Sequence, residues 1–474
     1  MSLPRLAIIG NGMATGRLLD ELLARGGADR FAIEVFGEEP HGLYNRILIG
    51  RIIDGGTQDE ITLKPTAWYE ANGITFHPGV LVDRLDTAAR VAYTSGAGGS
   101  RPYNLAVFAT GSRAYIPPLD GLRSPDGRPK GGIIAYRTVD DGHRIRSLAR
   151  AGGAAVVLGG GLLGLEAAKS LVDLGMDVTV AQRPGTLMDQ QVDDLGGQFL
   201  RRSVERLGIR VALGARATGV RGDGHVAAVT FDDGRALPAD LLVLACGIRP
   251  RVDAAAASGL AINRGIVVDD RLATSAPGVY AVGECAEHDG QVYGIVEPIW
   301  GQCKVLADVL AETDRRARYR GSKTYTRLKV AGVGVASMGL TRPADDADEV
   351  VQIIEERTGT YRKLIVRDDR LVGAVLVGDT AASPELVRWL DRGDPLPTNR
   401  LDILCSAGAF AAPGDPEVCN CHHVTESALV AAIGAGHANL AELATATRAG
   451  TGCGSCRGQL ARLLSRHAKQ AATA

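Results

Sequence analysis

Twice the chain runs an apolar strand into a glycine-rich turn and out along an amphipathic helix. The first copy is "LAIIGNGMATGRLLDELL" (Leu6 to Leu23) and the second is "AAVVLGGGLLGLEAAKSLVDLG" (Ala154 to Gly175). A second strand-like run follows each, "FAIEVFGEE" and "MDVTVAQR". Each copy therefore opens a βαβ unit of a parallel sheet. Their separation, about 150 residues, suggests two Rossmann-like nucleotide-binding domains, one inserted into the other. At 474 residues the chain is too long for a single core, and three or four domains are expected. The fold class is α/β.

In the first turn Gly10 and Gly12 fit the first two glycines of the dinucleotide fingerprint, and Thr15 stands at the third. The first glycine permits the tight turn. The second lets a pyrophosphate approach the backbone at the helix N-terminus, and a small third residue allows helix–strand packing. Glu38 or its neighbour Glu39 closes the following strand, where an acid can accept hydrogen bonds from an adenosine ribose. The second turn carries Gly159, Gly161 and Gly164, with Glu166 beyond. Its next strand ends in Gln182-Arg183 with no acid, and arginine there can accommodate a 2′-phosphate, so NADH and NADPH both stay open.

The remainder changes character. Residues 321–390 hold β-rich runs such as "KLIVRDDRLVGAVLVGD" and are expected to form a small α+β domain. Residues 391–416 ("DRGDPLPTNR", "AAPGDP") look like a linker, and 417–468 like a compact helical segment. That last segment holds Cys419, Cys421, Cys453 and Cys456, a C-x-C pair and a C-x-x-C pair. Four thiolates so spaced converge on one centre and can hold either Zn²⁺ or a [2Fe–2S] cluster. The single-residue spacer leans toward the cluster. His422 and His423 beside the site are expected to be surface histidines.

Net charge −1, with 45% hydrophobic and 23% charged residues, describes a globular protein without the basic face that a nucleic acid or anionic membrane would need. No apolar run is long enough to span a bilayer, and the strand-like "RLAIIG" near the N-terminus leaves no room for a signal peptide. A cytoplasmic location is expected. Eight cysteines then suggest metal ligation or burial in preference to disulfides.

Two more stretches, "LAVFATGSRAYIPPLDG" (Leu105 to Gly121) and "TSAPGVYAVGECAEHDG" (Thr274 to Gly290), each set an apolar strand before a glycine. With these, residues 4 to 310 resemble the two-dinucleotide flavoproteins that include ferredoxin, rubredoxin and nitrite reductases. The resemblance implies FAD at the first Rossmann unit and NAD(P)H at the second, inserted one. The implied boundaries are 1–120 with 247–320 for FAD and 121–246 for NAD(P)H. It also implies that Thr110-Gly111 marks the crossing between the domains and "LLVLACGIRP" (Leu241 to Pro250) the return. Gly283 and Glu284 would approach the ribityl chain, Glu284 standing where most members carry aspartate. "LYNRILIG" resembles the segment beside the isoalloxazine ring and places Arg46 near the flavin.

Disulfide-using members carry cysteines beside the flavin, whereas Tyr44 to Lys64 contains none. Cys246, Cys285 and Cys303 are isolated and are expected to be buried thiols. The tail, in "CNCHHVTESALVAAI" and "ATRAGTGCGSCRGQLARLL", resembles the bacterioferritin-associated-ferredoxin-like [2Fe–2S] domain. The domain order resembles the front half of NADH-dependent assimilatory nitrite reductase, without its sirohaem part. The resemblance implies an electron-transfer subunit serving a nitrate reductase catalytic subunit, or, as alternative, nitrite reductase. A flavoprotein subunit of an opine or amino-acid dehydrogenase is a third kinship. From another class comes a plain NAD(P)H oxidase with a structural zinc docking tail. Positioning and electron transfer require no catalytic acid, base or nucleophile, and none is nominated.

Overall fold

The computed structural model describes residues 3–95, 99–124, 127–330, 333–405, 415, 417–419, 422, 424–452, 454 and 456–471. The chain divides into two compact units. One comprises Met1–Tyr115, Arg137–Val139 and Gly247–Ser322; the other comprises Ile116–Tyr136, Asp140–Cys246 and Lys323–Ala474.

The first unit is built on a parallel sheet in the order Val279–Ala281, Leu105–Phe108, Arg5–Ile9, Ala32–Gly37, Thr75–Pro78. Leu6, Ile8, Val35, Val107 and Phe108 are buried in it, the near-continuous apolar run of strands covered on both faces. Helix Met13–Leu23 leaves the central strand and buries Leu18, Leu19 and Leu22. Helix Val296–Ala311 packs alongside through Cys303 and Leu306. Ser112–Ala114 and Ile248–Pro250, the two stretches where the chain leaves and re-enters this unit, pair antiparallel.

The second unit repeats the plan. Its parallel sheet runs Ile133–Ala135, Leu241–Leu244, Ala154–Leu158, Asp177–Gln182, Arg210–Leu213. Helix Leu162–Asp173 follows the central strand, and helix Asp194–Arg206 follows the next. An antiparallel sheet, Ala217–Arg221, Ala228–Phe231 and Ala236–Pro238, joins its core through Val220, Val229 and Phe231. A further antiparallel sheet runs Tyr325–Val330, Val333–Gly339, Arg370–Val377, Thr360–Arg367, Glu349–Glu355. Helix Ser383–Arg392 lays Leu386 and Leu390 on it.

Of the linker expected at 391–416, residues 406–414 and 416 lie outside the described residues, and the described part is packed. Arg400–Cys405 is helical, and Leu396, Ile403 and Leu404 enter the same core as Leu386. The Arg400 guanidinium, largely buried, holds the turn by donating to Leu396 O at 2.8 Å and pairing with Asp369. Burying three aliphatic side chains, each worth about 1.5–3 kcal/mol, outweighs the Pro/Gly/Asp composition that suggested a free tether.

Asp193 caps helix Asp194–Arg206, accepting from Gly196 N–H at 2.9 Å. Burial alone would push its carboxyl up. The Lys363 ammonium, Tyr361 hydroxyl and Gly196 N–H outweigh that and hold it below the ordinary carboxylate value. A carboxylate depressed in the folded state contributes stability above its ordinary pKa and loses it as pH falls through the folded value. Acid unfolding of Asp193→Asn should therefore show a shallower loss of stability below about pH 4 than the parent. Identical slopes in denaturant titrations across that window would contradict this.

In the tail, Glu417–Cys419 pairs antiparallel with Val424–Thr425, and helices Glu426–Gly434, Leu440–Thr447 and Arg457–Ala471 follow. Thr425 and Asn439 cap the first two by accepting from Ala428 and Glu442 N–H groups. Leu429, Leu443, Leu460 and Leu463 are buried. Among the described residues, no helix is long and apolar enough to cross a membrane.

Candidate functional site

At Gly10 the backbone takes φ +108°, and a Cβ would overlap the Ala109 carbonyl oxygen. Gly159 repeats this, at φ +111° against the Ala245 carbonyl. Each turn delivers its chain to a helix whose N-cap is glycine, Gly12 or Gly161, with no side-chain cap. A Cβ on either would meet nothing within 4 Å. Two helix N-termini thus present open space and first-turn N–H groups to an anion, and a dinucleotide pyrophosphate fits both.

The third positions differ. A Cβ at Gly164 would overlap the Gly159 carbonyl oxygen, so glycine is obligatory there. Thr15 is fully buried, and its hydroxyl donates to Gly10 O at 2.7 Å. Threonine thus ties the first turn back onto its helix. Thr15→Val keeps the shape and strands that carbonyl, which should cost about 1 kcal/mol. Urea midpoints check this; an unchanged midpoint would show that the bond contributes nothing.

Around the first turn, the two candidate acids have different surroundings. Glu39 accepts from the Tyr44 hydroxyl at 2.7 Å and pairs with Arg46, which also donates to the Tyr44 oxygen at 2.7 Å. Val139 N–H donates to the same phenol oxygen at 3.2 Å. Arg46 is thus the centre of an ion-pair network. Burial would lower its pKa, but the Tyr44 phenol and Glu39 carboxylate more than compensate. Glu38 is exposed and pairs with Arg251, on the segment that re-enters the unit. The Thr110 hydroxyl donates to Arg251 O at 2.6 Å, and Gly111 sits at φ +65°.

Glu284 accepts from the Ser112 hydroxyl at 2.6 Å and pairs with Arg137. The Gly283 N–H donates to the buried Gln302 carbonyl at 2.8 Å. Arg137 and Gln302 lie outside every quoted motif, and Tyr44 and Ser112, though inside quoted stretches, were given no role there. The nearest signal for Ser112 is its place just after Thr110-Gly111 on the leaving strand.

Around the second turn, Gln182 does not stand free at the strand end. It is 7% exposed, its carbonyl accepts from Gly160 N–H at 2.7 Å, and its amide donates to Asp189 at 3.2 Å. Arg183 beside it is exposed, and Glu166 lies half-buried on helix Leu162–Asp173.

In the tail, Cys419 and Cys456 are 1% and 2% exposed. Cys421, Cys453 and His423 lie outside the described residues, and among the described ones no three His, Cys, Asp or Glu side chains cluster as metal ligands. His422 is not a plain surface histidine, since its Nε2 lies 3.0 Å from the Thr451 hydroxyl. Two buried cysteines, Cys419 on the strand and Cys456 just before helix Arg457–Ala471, are the donor type a cluster requires.

Comparison with known proteins follows the same division. Residues 4–304 match the pyridine nucleotide-disulphide oxidoreductase family. The chain belongs to that family. Residues 325–394 match the rubredoxin NAD⁺ reductase C-terminal domain, and 417–466 the BFD-like [2Fe-2S] binding domain. A nitrite reductase [NAD(P)H] of Bacillus subtilis is 37% identical over 96% of this chain, and 57% of that protein is covered. An assimilatory nitrate reductase electron transfer subunit of the same organism is 35% identical over 96% of this chain and 59% of its own. The chain thus spans a little over half the length of these relatives. The NADH:rubredoxin oxidoreductase structure from Clostridium acetobutylicum superposes with a TM-score of 0.67 at 22% identity, covering 85% of this chain and 99% of that one.

This pyridine nucleotide-disulphide oxidoreductase is an NAD(P)H-dependent enzyme that uses FAD and a [2Fe–2S] cluster. The disulfide of the family name has no counterpart between Tyr44 and Lys64. Cys246, Cys285 and Cys303 offer no substitute. Cys285 and Cys303 are buried, donating to Val282 O and Ala14 O at 3.3 Å. Burial pushes the Cys246 thiol up to about 11, so it is protonated and a poor nucleophile near neutrality.

Proposed function

We propose that this flavoprotein draws electrons from NAD(P)H and delivers them singly to the catalytic subunit of a nitrate reductase. The observation that carries this reading is similarity along 96% of the chain to an assimilatory nitrate reductase electron transfer subunit. A nitrite-reducing partner is the second reading, supported by the nitrite reductase match over the same share.

FAD is assigned to the first turn, where Gly12 leaves room for the pyrophosphate and Glu38 is the exposed acid for the adenosine ribose. Glu39 serves instead to orient Arg46. Glu284 holds Arg137 and Ser112 in place beside Gly283. NAD(P)H is assigned to Gly159, Gly161 and Gly164, where an uncapped helix N-terminus again faces open space. Cys419, Cys421, Cys453 and Cys456 are assigned to the cluster. When bound, FAD accepts the hydride pair and the cluster carries single electrons. The chain's own part is to hold phosphates on backbone N–H groups, orient charges near the flavin and keep its thiols inert.

Reconstitution with purified nitrate and nitrite reductase catalytic subunits decides between partners. NAD(P)H-driven turnover with the nitrate enzyme alone is expected. Turnover with the nitrite enzyme alone would transfer the assignment, and turnover with neither would overturn it.

A further inference from the structure

The segment Pro184 to Val192 leads from strand Asp177–Gln182 to helix Asp194–Arg206, and it is fastened at both ends, to the second glycine turn and to the helix. At the turn, Met188 N–H donates to Gly160 O at 3.0 Å, Gln182 accepts from Gly160 N–H, and the same Gln182 donates to Asp189. Met188 is fully enclosed at φ +48°, a conformation a non-glycine residue keeps only when its surroundings enforce it. At the helix end, Asp193 accepts from Tyr361 OH and Lys363 Nζ, both at 2.7 Å, from the C-terminal antiparallel sheet of the same unit. Lys363 is 4% exposed, Tyr361 0% and Asp193 8%. The Lys363 ammonium also donates to Thr341 O at 3.3 Å. A second strap comes from Arg342, which donates to Asp189 O at 3.2 Å and to the Asp194 carboxylate at 3.1 Å.

A fully buried ion pair is a poor means of adding stability, because desolvating both charges offsets most of their attraction. It does fix geometry, since the carboxylate has one low-energy place to be. Gly160 lies inside the Gly159–Gly164 cradle, so a shift of Asp193 passes along Pro184–Val192 to the N–H groups that would hold phosphate.

We propose that Lys363 and Arg342 are positioning residues for the nicotinamide dinucleotide, setting the Gly159–Gly164 cradle from the C-terminal sheet through the strapped segment. This rests on placing the dinucleotide at that cradle. Removing Lys363 leaves the Asp193 carboxylate buried without its cation, and the cap moves toward water. Neither residue touches the cofactor in this account.

The test uses the full-length, FAD- and cluster-loaded protein and its Lys363→Met and Arg342→Ala variants. Lys363→Met should raise both the NADH KM and the NAD⁺ Kd by calorimetry about tenfold, and Arg342→Ala about threefold. Turnover of a two-electron dye at saturating NADH should stay within about twofold, with flavin content unchanged. A purely structural role predicts a lowered melting temperature with parental Kd and KM, and that result overturns the proposal. If Lys363→Met does not accumulate as folded protein, half-exposed Arg342 decides alone: a parental Kd in Arg342→Ala overturns it. Gly161→Val separates the two claims. Retained NAD⁺ binding in that variant means the dinucleotide lies elsewhere, and the placement fails instead of the strap.

Discussion

Cys453→Ser should leave NAD(P)H-driven reduction of a small two-electron dye near the parental rate while delivery to the proposed nitrate-reducing partner falls to background. A serine hydroxyl replaces a thiolate poorly as an iron ligand, so three cysteines would remain where the cluster needs four. The dye test isolates hydride transfer, which involves no tail residue. Tyr44 to Lys64 holds no cysteine, the Cys246 thiol is held protonated, and Cys285 and Cys303 are buried, so none of these three thiols offers a relay around the tail. Parental nitrate reduction by the variant would move the exit elsewhere and favour a docking role for the tail.

Gly12→Val should yield folded but colourless protein. A Cβ at Gly12 meets nothing within 4 Å, so the apo fold has room for the new side chain. That room is the ground in front of the uncapped helix Met13–Leu23, and filling it excludes the pyrophosphate. Flavin content should fall below about a tenth of parental. The stability of the flavin-free fold should stay within about 0.5 kcal/mol of the parent, as for a substitution that disturbs no packing. Gly10→Val is the contrast. There the added atom overlaps the Ala109 carbonyl at φ +108°, and soluble protein should be lost altogether. Normal flavin absorbance in Gly12→Val would sink the placement of FAD at the first turn.

The two turns were legible because each glycine answers a local demand, and local demands leave marks at fixed spacing. The [2Fe–2S] tail domain was legible for the same reason. Polar side chains joined across long stretches of chain leave no such mark. Asp193 and Lys363 are 170 positions apart, and neither belongs to a periodic pattern. Arg137 and Ser112 meet Glu284 from 147 and 172 positions away.

The burial of Gln182 against Gly160 and Asp189 is not legible from its place at a strand end. It lies buried, where a glutamate would set a second carboxylate against Asp189 and lose the amide donor. Exposed Arg183 is therefore the residue to change when probing the choice between NADH and NADPH. The segment after Asp391 was misread from composition, because prolines and glycines obscured Leu396, Ile403 and Leu404, which settle on the sheet core only in three dimensions.

The central claim is that electrons entering as hydride leave through the tail's cluster. Anaerobic titration of the FAD- and cluster-loaded protein with NADH, followed together by flavin absorbance and electron paramagnetic resonance, tests it most directly. The account predicts flavin bleaching accompanied by the resonance of a reduced [2Fe–2S] cluster, without any added mediator. Flavin that bleaches while the cluster stays oxidised, in a sample whose cluster dithionite readily reduces, would contradict it.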